Sequence, residues 1–347
     1  MCSSDLTEAV VRRWQRAFPD RVLTVNTGGI GQARARRRAA DLARGAYWIT
    51  LDADDRLEPA MAETCRRVLA RHPQAAAAAA DVWMTDADGQ RAIQVLKQRR
   101  WPGWPEVLDA CPIGNWSSVL IRADVARRVG GIGLEGEAGA EDWDFAVRLV
   151  RAGLSIVGVG AALARYRQCP DSHSRDPVPA FRAKVAMLER CRTDDPRLAA
   201  AVSVQPVLDE AAYWHYRNRY LFFAWGLAAA AAPAAADALV DAFGGRAREW
   251  DGWASAYAHG VAHAGHGGIP PPRVVPPEVR AAVTEALRRA ACPAEAAERF
   301  FVQVERAVWK RHFRGPRYWR RRLDAWLATR RFRRGPAPGR PPASPAT

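Results

Sequence analysis

The sequence predicts an α/β domain followed by an α-helical domain, and three observations carry that prediction. The stretch Tyr47-Trp48-Ile49-Thr50-Leu51-Asp52-Ala53-Asp54-Asp55 runs aromatic and β-branched residues into three acids, the pattern of a buried strand stopping at a charged tip. Helix and strand signals alternate from Thr7 to about residue 176. From about Pro177 the texture changes to Ala-rich helices with little strand signal. The chain of 347 residues, 49% apolar with 14 Trp, is long enough and apolar enough for a substantial core.

Taken in order, Thr7 to Ala17 reads as an amphipathic helix with Val10, Val11, Trp14 and Ala17 on one face. Phe18-Pro19-Asp20 breaks it, and Arg21-Val22-Leu23-Thr24-Val25 reads as a strand. Residues 1–6 give no element. Cys2 to Leu6 back-translate as TGC TCT TCC GAT CT, a string typical of sequencing adapters, so this start is expected to be an artefact. Asn26-Thr27-Gly28-Gly29-Ile30-Gly31 is a glycine turn that lets backbone approach a phosphate. The helix Gln32 to Ala43 follows, and its Arg36 could reach a diphosphate.

After Asp55, a helix is predicted from Pro59 to about Arg71, a buried strand from Ala75 to Met84, and a turn at Asp86-Ala87-Asp88-Gly89. The segment Trp101 to Trp116 sets three Trp among prolines and glycines, either as a sugar-stacking platform or as a lid packed on the core. Asn115 to Ile121 leads into a strand and then a short helix ending at Gly130-Gly131. Glu141-Asp142-Trp143-Asp144 opens a helix that ends at Gly153, and Leu154 to Gly158 and Ala162 to Tyr166 read as extended pieces. Tyr220 to Ala236 is uncharged but alanine-dominated and broken by Pro233, which fits a buried helix hairpin better than a membrane span. His259, His263 and His266 recur at helical spacing, yet no acid accompanies them and glycines end the helix there.

Charge and cysteines narrow the function classes. The formal net charge is +15, but twelve Lys or Arg lie between Trp309 and Arg340 against a single acid, Asp324. The excess is therefore a carboxyl-terminal feature, and no nucleic acid is expected as a partner. Six scattered cysteines without a Cys-x-x-Cys pair point to reduced thiols and a cytoplasmic setting, and no secretory signal opens the chain. In 309–334 Trp309, Phe313, Tyr318, Trp319, Trp326 and Phe332 interleave with arginines, which suits a helix in an anionic membrane interface or one packed on the catalytic domain. Residues 335–347 are Pro- and Ala-rich and are expected to be disordered.

Two acidic constellations carry the candidate chemistry. Asp52 and Asp54, on one side of an extended chain, suit a hard divalent cation that also holds substrate phosphates; a turn that caps the next helix is the alternative. Glu141 and Asp142 at a helix start suit a general base and a partner acid that orients the acceptor, although dipole and capping effects also favour acids there.

In their order these pieces resemble the family 2 inverting glycosyltransferases with the Rossmann-like GT-A fold. The resemblance rests on Gly31-Gln32-Ala33-Arg34-Ala35-Arg36, Ala43 through Asp55, Ser117 through Gly131, Glu141-Asp142-Trp143-Asp144 and Tyr166-Arg167, within about residues 7 to 175. It implies Arg36, Asp52 and Asp54 as donor-binding residues, Asp52, Asp54 and His173 as ligands of Mg or Mn, and Asp142 with Glu141 as catalytic acids. The implied partners are a nucleotide-sugar donor and a glycan or lipid-linked acceptor; the tail's own arginines and aromatics, outside the resemblance, suit peripheral contact at the inner face of the cell membrane. The sequence departs from the family pattern at Arg37, where an asparagine is usual, and at Cys169, where a histidine is usual and His173 lies four residues on. The first strand, helix and second strand of the family would precede residue 7.

The expected organisation is thus an artefactual 1–6, a partial GT-A domain over 7–176, a helical domain over 177–308, a basic aromatic helix over 309–334 and a tail. Two rival readings are a truncated non-catalytic remnant and a basic binder of membrane surfaces or nucleic acid with structural acids.

Overall fold

A computed structural model describes residues 5–86, 88–90, 92–96, 101–133, 139–168, 176–243, 253–265, 275–289 and 292–309. Cys169, His173, His266, the segment 310–334 of the expected basic aromatic helix and the tail lie outside the described residues.

Helix α1 (Asp5–Ala17) and helix α2 (Gln32–Leu42) precede the first strand, β1 (Tyr47–Trp48). Then come β2 (Arg56–Leu57), α3 (Met61–Arg71), β3 (Ala75–Thr85), β4 (Ala92–Leu96), β5 (Val119–Arg122) and the short α4 (Ala123–Arg128). Helix α5 (Glu141–Arg151) and β6 (Ser155–Arg167) complete the α/β part. The helices α6 (Pro177–Arg190), α7 (Glu210–Ala231), α8 (Trp253–Gly265), α9 (Pro277–Arg289) and α10 (Ala294–Trp309) follow. The expected α/β domain followed by a helical region is what the chain forms.

The strands make one mixed sheet in the order β1-β5-β3-β6-β2, with β4 also paired to β3. β6 runs parallel to β3 along its length, while β5 and β4 run antiparallel to successive parts of it. The central strand starts with six buried alanines, Ala75 to Ala80, and their small side chains let layers on both faces come close. Met61, Cys65 and Leu69 of α3 cover Ala75, Ala78 and Ala80. Ala76, Ala77 and Ala79 join the larger core with Trp116, Phe145 and Leu149. That core continues without a break into Tyr220, Phe222 and Trp225 of α7. Burying each of these large side chains stabilises the fold by about 1.5–3 kcal/mol.

Several local expectations are corrected. Arg21 to Val25 is irregular chain, with Leu23 at 69% exposure. Strand preference expresses fit to a half-buried pleated surface, and no described strand runs beside this segment. Helix α1 forms, but its apolar face is exposed at Val10 and Trp14, with Trp14 stacked on Phe18 at 5.6 Å. The strand expected through Asp55 stops pairing at Trp48, and Asp52 to Asp55 is a turn closed by the Asp55 amide on the Asp52 carbonyl at 3.0 Å. The alternation argument for Asp52 and Asp54 therefore fails, because alternation needs an extended chain. The two extended pieces after Gly153 are one strand, β6, with shifts in its register against β3. β4 was not foreseen.

The Trp-rich segment packs as a lid. Trp116 is buried, and Trp101 and Trp104 pack against the core half-buried. Trp143 Nε1 donates to the Val107 carbonyl at 2.7 Å and Tyr220 Oη to the Leu108 carbonyl at 2.7 Å, so α5 and α7 both clamp this loop. The expected buried hairpin is the α7 end and the turn at Pro233–Ala235, with Leu221, Phe222 and Trp225 fully buried. No described helix is long and apolar enough to cross a membrane.

Candidate active site

The two acidic constellations, far apart in sequence, meet at Arg36. Its guanidinium lies 2.5 Å from Asp52 and 2.7 Å from Glu141, nearly buried between them and 5.9 Å from the Trp116 ring centre. Gln32 Nε2 approaches the same Asp52 oxygen at 3.5 Å. Helix α2 is held in place for this by close contact with the turn after α4. Arg37 Nη1 donates to the Gly130 carbonyl at 2.6 Å, and a Cβ on Gly133 would fall 2.1 Å from the Ala33 carbonyl oxygen. Gly133 also adopts φ +67°, so only glycine serves there. Arg37 thus anchors α2 to the turn after α4.

The Asp52–Asp55 turn is pinned from below by Asp55, whose role sequence reasoning missed. Asp55 is buried and accepts from Ser117 Oγ at 2.6 Å, Asn115 Nδ2 at 2.8 Å and the Arg167 amide at 3.3 Å. Burial pushes its carboxyl up to about 6 against the pull of these donors, and the Asp54 charge adds to the rise. Ser117 Oγ in turn accepts from the Asp52 amide at 3.2 Å. Asn115 caps the turn into β5, accepting from the Ser117 amide at 2.5 Å. The Asn-x-Ser sequence before an apolar run was the available signal. Asp54 stands half-buried at the tip of the turn.

At the start of α5 the three acids divide. Glu141 faces Arg36 and accepts from the Gly139 amide at 3.1 Å. Asp144 turns inward to Arg148 at 2.9 Å and to Arg190 and Arg197, both at 3.1 Å. Burial opposes its charge, yet these three cations hold it below the usual carboxylate range. Asp142 Oδ1 accepts from the Trp143 amide at 2.7 Å. Burial pushes the Asp142 carboxyl up to about 6, helped by Glu141 and opposed by the Trp143 amide and Arg36. Such a group is ionised at neutral pH while still basic enough to take a proton.

For a divalent cation the turn offers two carboxylates, Asp52 and Asp54. Among the described residues no group of three His, Cys, Asp or Glu could hold a metal ion. Oxygen donors from two acids fit a hard cation that takes its other ligands from phosphate and water. Arg36 already partners one of the two.

The α/β part thus brings two acidic constellations together around one nearly buried arginine. Residues 2–107 match the family model of glycosyl transferase family 2, a segment that lies within the α/β part. The matched segment carries Arg36, Asp52, Asp54 and Asp55 and ends before Ser117 and the acids of α5. Among solved structures the chain is similar to S. aureus TarS, with 14% identity and TM-score 0.42 over 90% of this chain and 49% of that one. It is similar also to residues 1–349 of S. aureus TarS, with 13% identity and TM-score 0.43 over 90% of this chain and 81% of that one. The chain thus spans about half the length of the first of these. No curated protein matches the sequence.

Proposed function

We propose that this chain transfers a sugar from a nucleotide-sugar donor to a hydroxyl acceptor, glycan or lipid-linked, with inversion. The observation that carries the reading is Arg36, whose one guanidinium joins Asp52 of the matched segment to Glu141, next to Asp142. Asp142 takes the proton of the acceptor hydroxyl. The acceptor oxygen then bonds to the anomeric carbon, the bond from that carbon to the phosphate oxygen breaks, and its electron pair leaves with the nucleoside diphosphate. One displacement inverts the centre, so a single base suffices. Arg36 is placed to meet the diphosphate from the Asp52 side, and Glu141 orients Arg36. Asp52 and Asp54 would hold a divalent cation, Mg or Mn, which supplies Lewis-acid neutralisation of the departing diphosphate. The basic aromatic segment 309–334 suits an anionic membrane face.

The test is release of nucleoside diphosphate from a panel of UDP- and GDP-sugars, with Mg²⁺ or Mn²⁺ and without. Asp142→Asn should lower turnover by about two to four orders of magnitude while donor affinity changes little. Asp54→Ala should abolish turnover with the fold intact. Full activity in both variants would overturn the assignment.

A further inference from the structure

Arg36 serves two carboxylates with one guanidinium, and the two are held differently. Nη1 lies 2.7 Å from Glu141 Oε1; the Glu141 side chain is 10% exposed, and its other oxygen accepts from the Gly139 amide at 3.1 Å. Nη2 lies 2.5 Å from Asp52 Oδ1, an oxygen that Gln32 Nε2 also approaches at 3.5 Å, and the Asp52 side chain is 23% exposed. Glu141 is thus the fixed partner and Asp52 the accessible one. The guanidinium itself is 9% exposed and lies 5.9 Å from the Trp116 ring centre, so salt and solvent screen its charge little.

A divalent cation bound to Asp52 and Asp54 alone would share Asp52 with that charge. Either the ion pair opens or two cations stand at one carboxylate, and both cost free energy. A diphosphate removes the conflict, because its oxygens accept from a guanidinium at two points and also ligate a hard cation. Arg36 can turn to it without becoming a buried unpaired charge, since Glu141 keeps its hold on Nη1. We infer that Arg36 is an exchangeable counter-ion of Asp52, pivoting on Glu141, and that it makes the acidic turn take a divalent cation together with the donor's diphosphate rather than alone. By linkage the cation strengthens diphosphate binding to the same degree. The inference rests on Asp52 and Asp54 being the cation ligands proposed above.

The experiment is equilibrium dialysis of Mn²⁺ against the full chain, without nucleotide and with UDP or GDP on both sides. Arg36→Met should tighten Mn²⁺ binding without nucleotide by about tenfold, a coupling of ordinary size. Adding Asp52→Asn should cancel that gain. If Arg36→Met does not fold, Arg36→Gln, which keeps a donor for Glu141, is dialysed against the same criterion. Mn²⁺ binding that stays unchanged or weakens in a folded, charge-free variant overturns the role of Arg36 and leaves the cation reading standing. A gain that survives Asp52→Asn overturns that role too. Mn²⁺ bound by none of these chains, with nucleotide or without, overturns the cation reading of Asp52 and Asp54 instead.

Discussion

Ser117 Oγ donates to the buried Asp55 carboxylate at 2.6 Å and accepts from the Asp52 amide at 3.2 Å, so one hydroxyl ties the acidic turn to the start of β5. Ser117→Ala leaves both a buried carboxylate oxygen and a backbone amide short of a partner. The expected loss is about 1–3 kcal/mol of stability, since an unmade buried hydrogen bond costs that much. Urea unfolding measures it. Donor binding should weaken alongside, because Asp52 and Asp54 ride on the same turn. Ser117→Thr, which keeps the hydroxyl, should lose less.

The carboxyl of Asp142 sets a pH dependence. With its pKa raised to about 6, turnover should rise with pH through about 6 and level off above it. The stability contribution runs the other way. The folded protein holds this proton more tightly than the unfolded chain, so the contribution is largest below about 4 and is lost as pH rises to about 6. Asp142→Asn should accordingly raise the melting temperature at pH 7 and change it little at pH 4. Calorimetry at the two pH values checks this, and a lower melting temperature at pH 7 would contradict it.

Asp144 stands two residues on and serves structure. It is 3% exposed and partners Arg148, Arg190 and Arg197, and Arg148 is itself 1% exposed. Asp144→Ala leaves a buried guanidinium without its carboxylate, a change of about 3–5 kcal/mol. The variant should be poorly folded by circular dichroism. Joint replacement of Asp144 and Arg148 by apolar residues should recover part of the loss.

Helices α7 and α8 cross at paired glycines. A Cβ on Gly226 would lie 2.0 Å from the Tyr257 carbonyl oxygen, and one on Gly260 would lie 2.0 Å from that of Phe223. Either Gly→Ala change must push the helices apart, an overpacking cost of about 1–3 kcal/mol or more. Gly260→Ala should also shift Phe223, whose ring centre lies 4.1 Å from Lys184 Nζ. Denaturant unfolding of both variants, with Ala228→Gly as a neighbouring control, measures the effect.

Much of this protein was legible in one dimension because local chemistry wrote it there. Local sequence pattern placed α2, α3, β3 and α5, an Ala-rich texture marked the chain after Pro177 as helical without dividing it into helices, and glycines marked the turns at Gly28-Gly29 and Gly130-Gly131, which adopt positive φ. The candidate residues Arg36, Asp52, Asp54, Glu141 and Asp142 were likewise named from short motifs. What sequence could not supply was which of them touch. Arg36 between Asp52 and Glu141, Asp55 as the pin beneath the turn, and Asp144 as a structural rather than a cleft acid all depend on contacts between segments far apart in the chain. The strand expected at Arg21 to Val25 fails for the same reason, because pairing belongs to neighbours and not to a segment alone. Lys184 is the clearest case. A lysine between Ala183 and Val185 carries no motif, and only the packing of α6 and α7 against α5 sets its charge among the rings of Phe223, Trp143 and Tyr220.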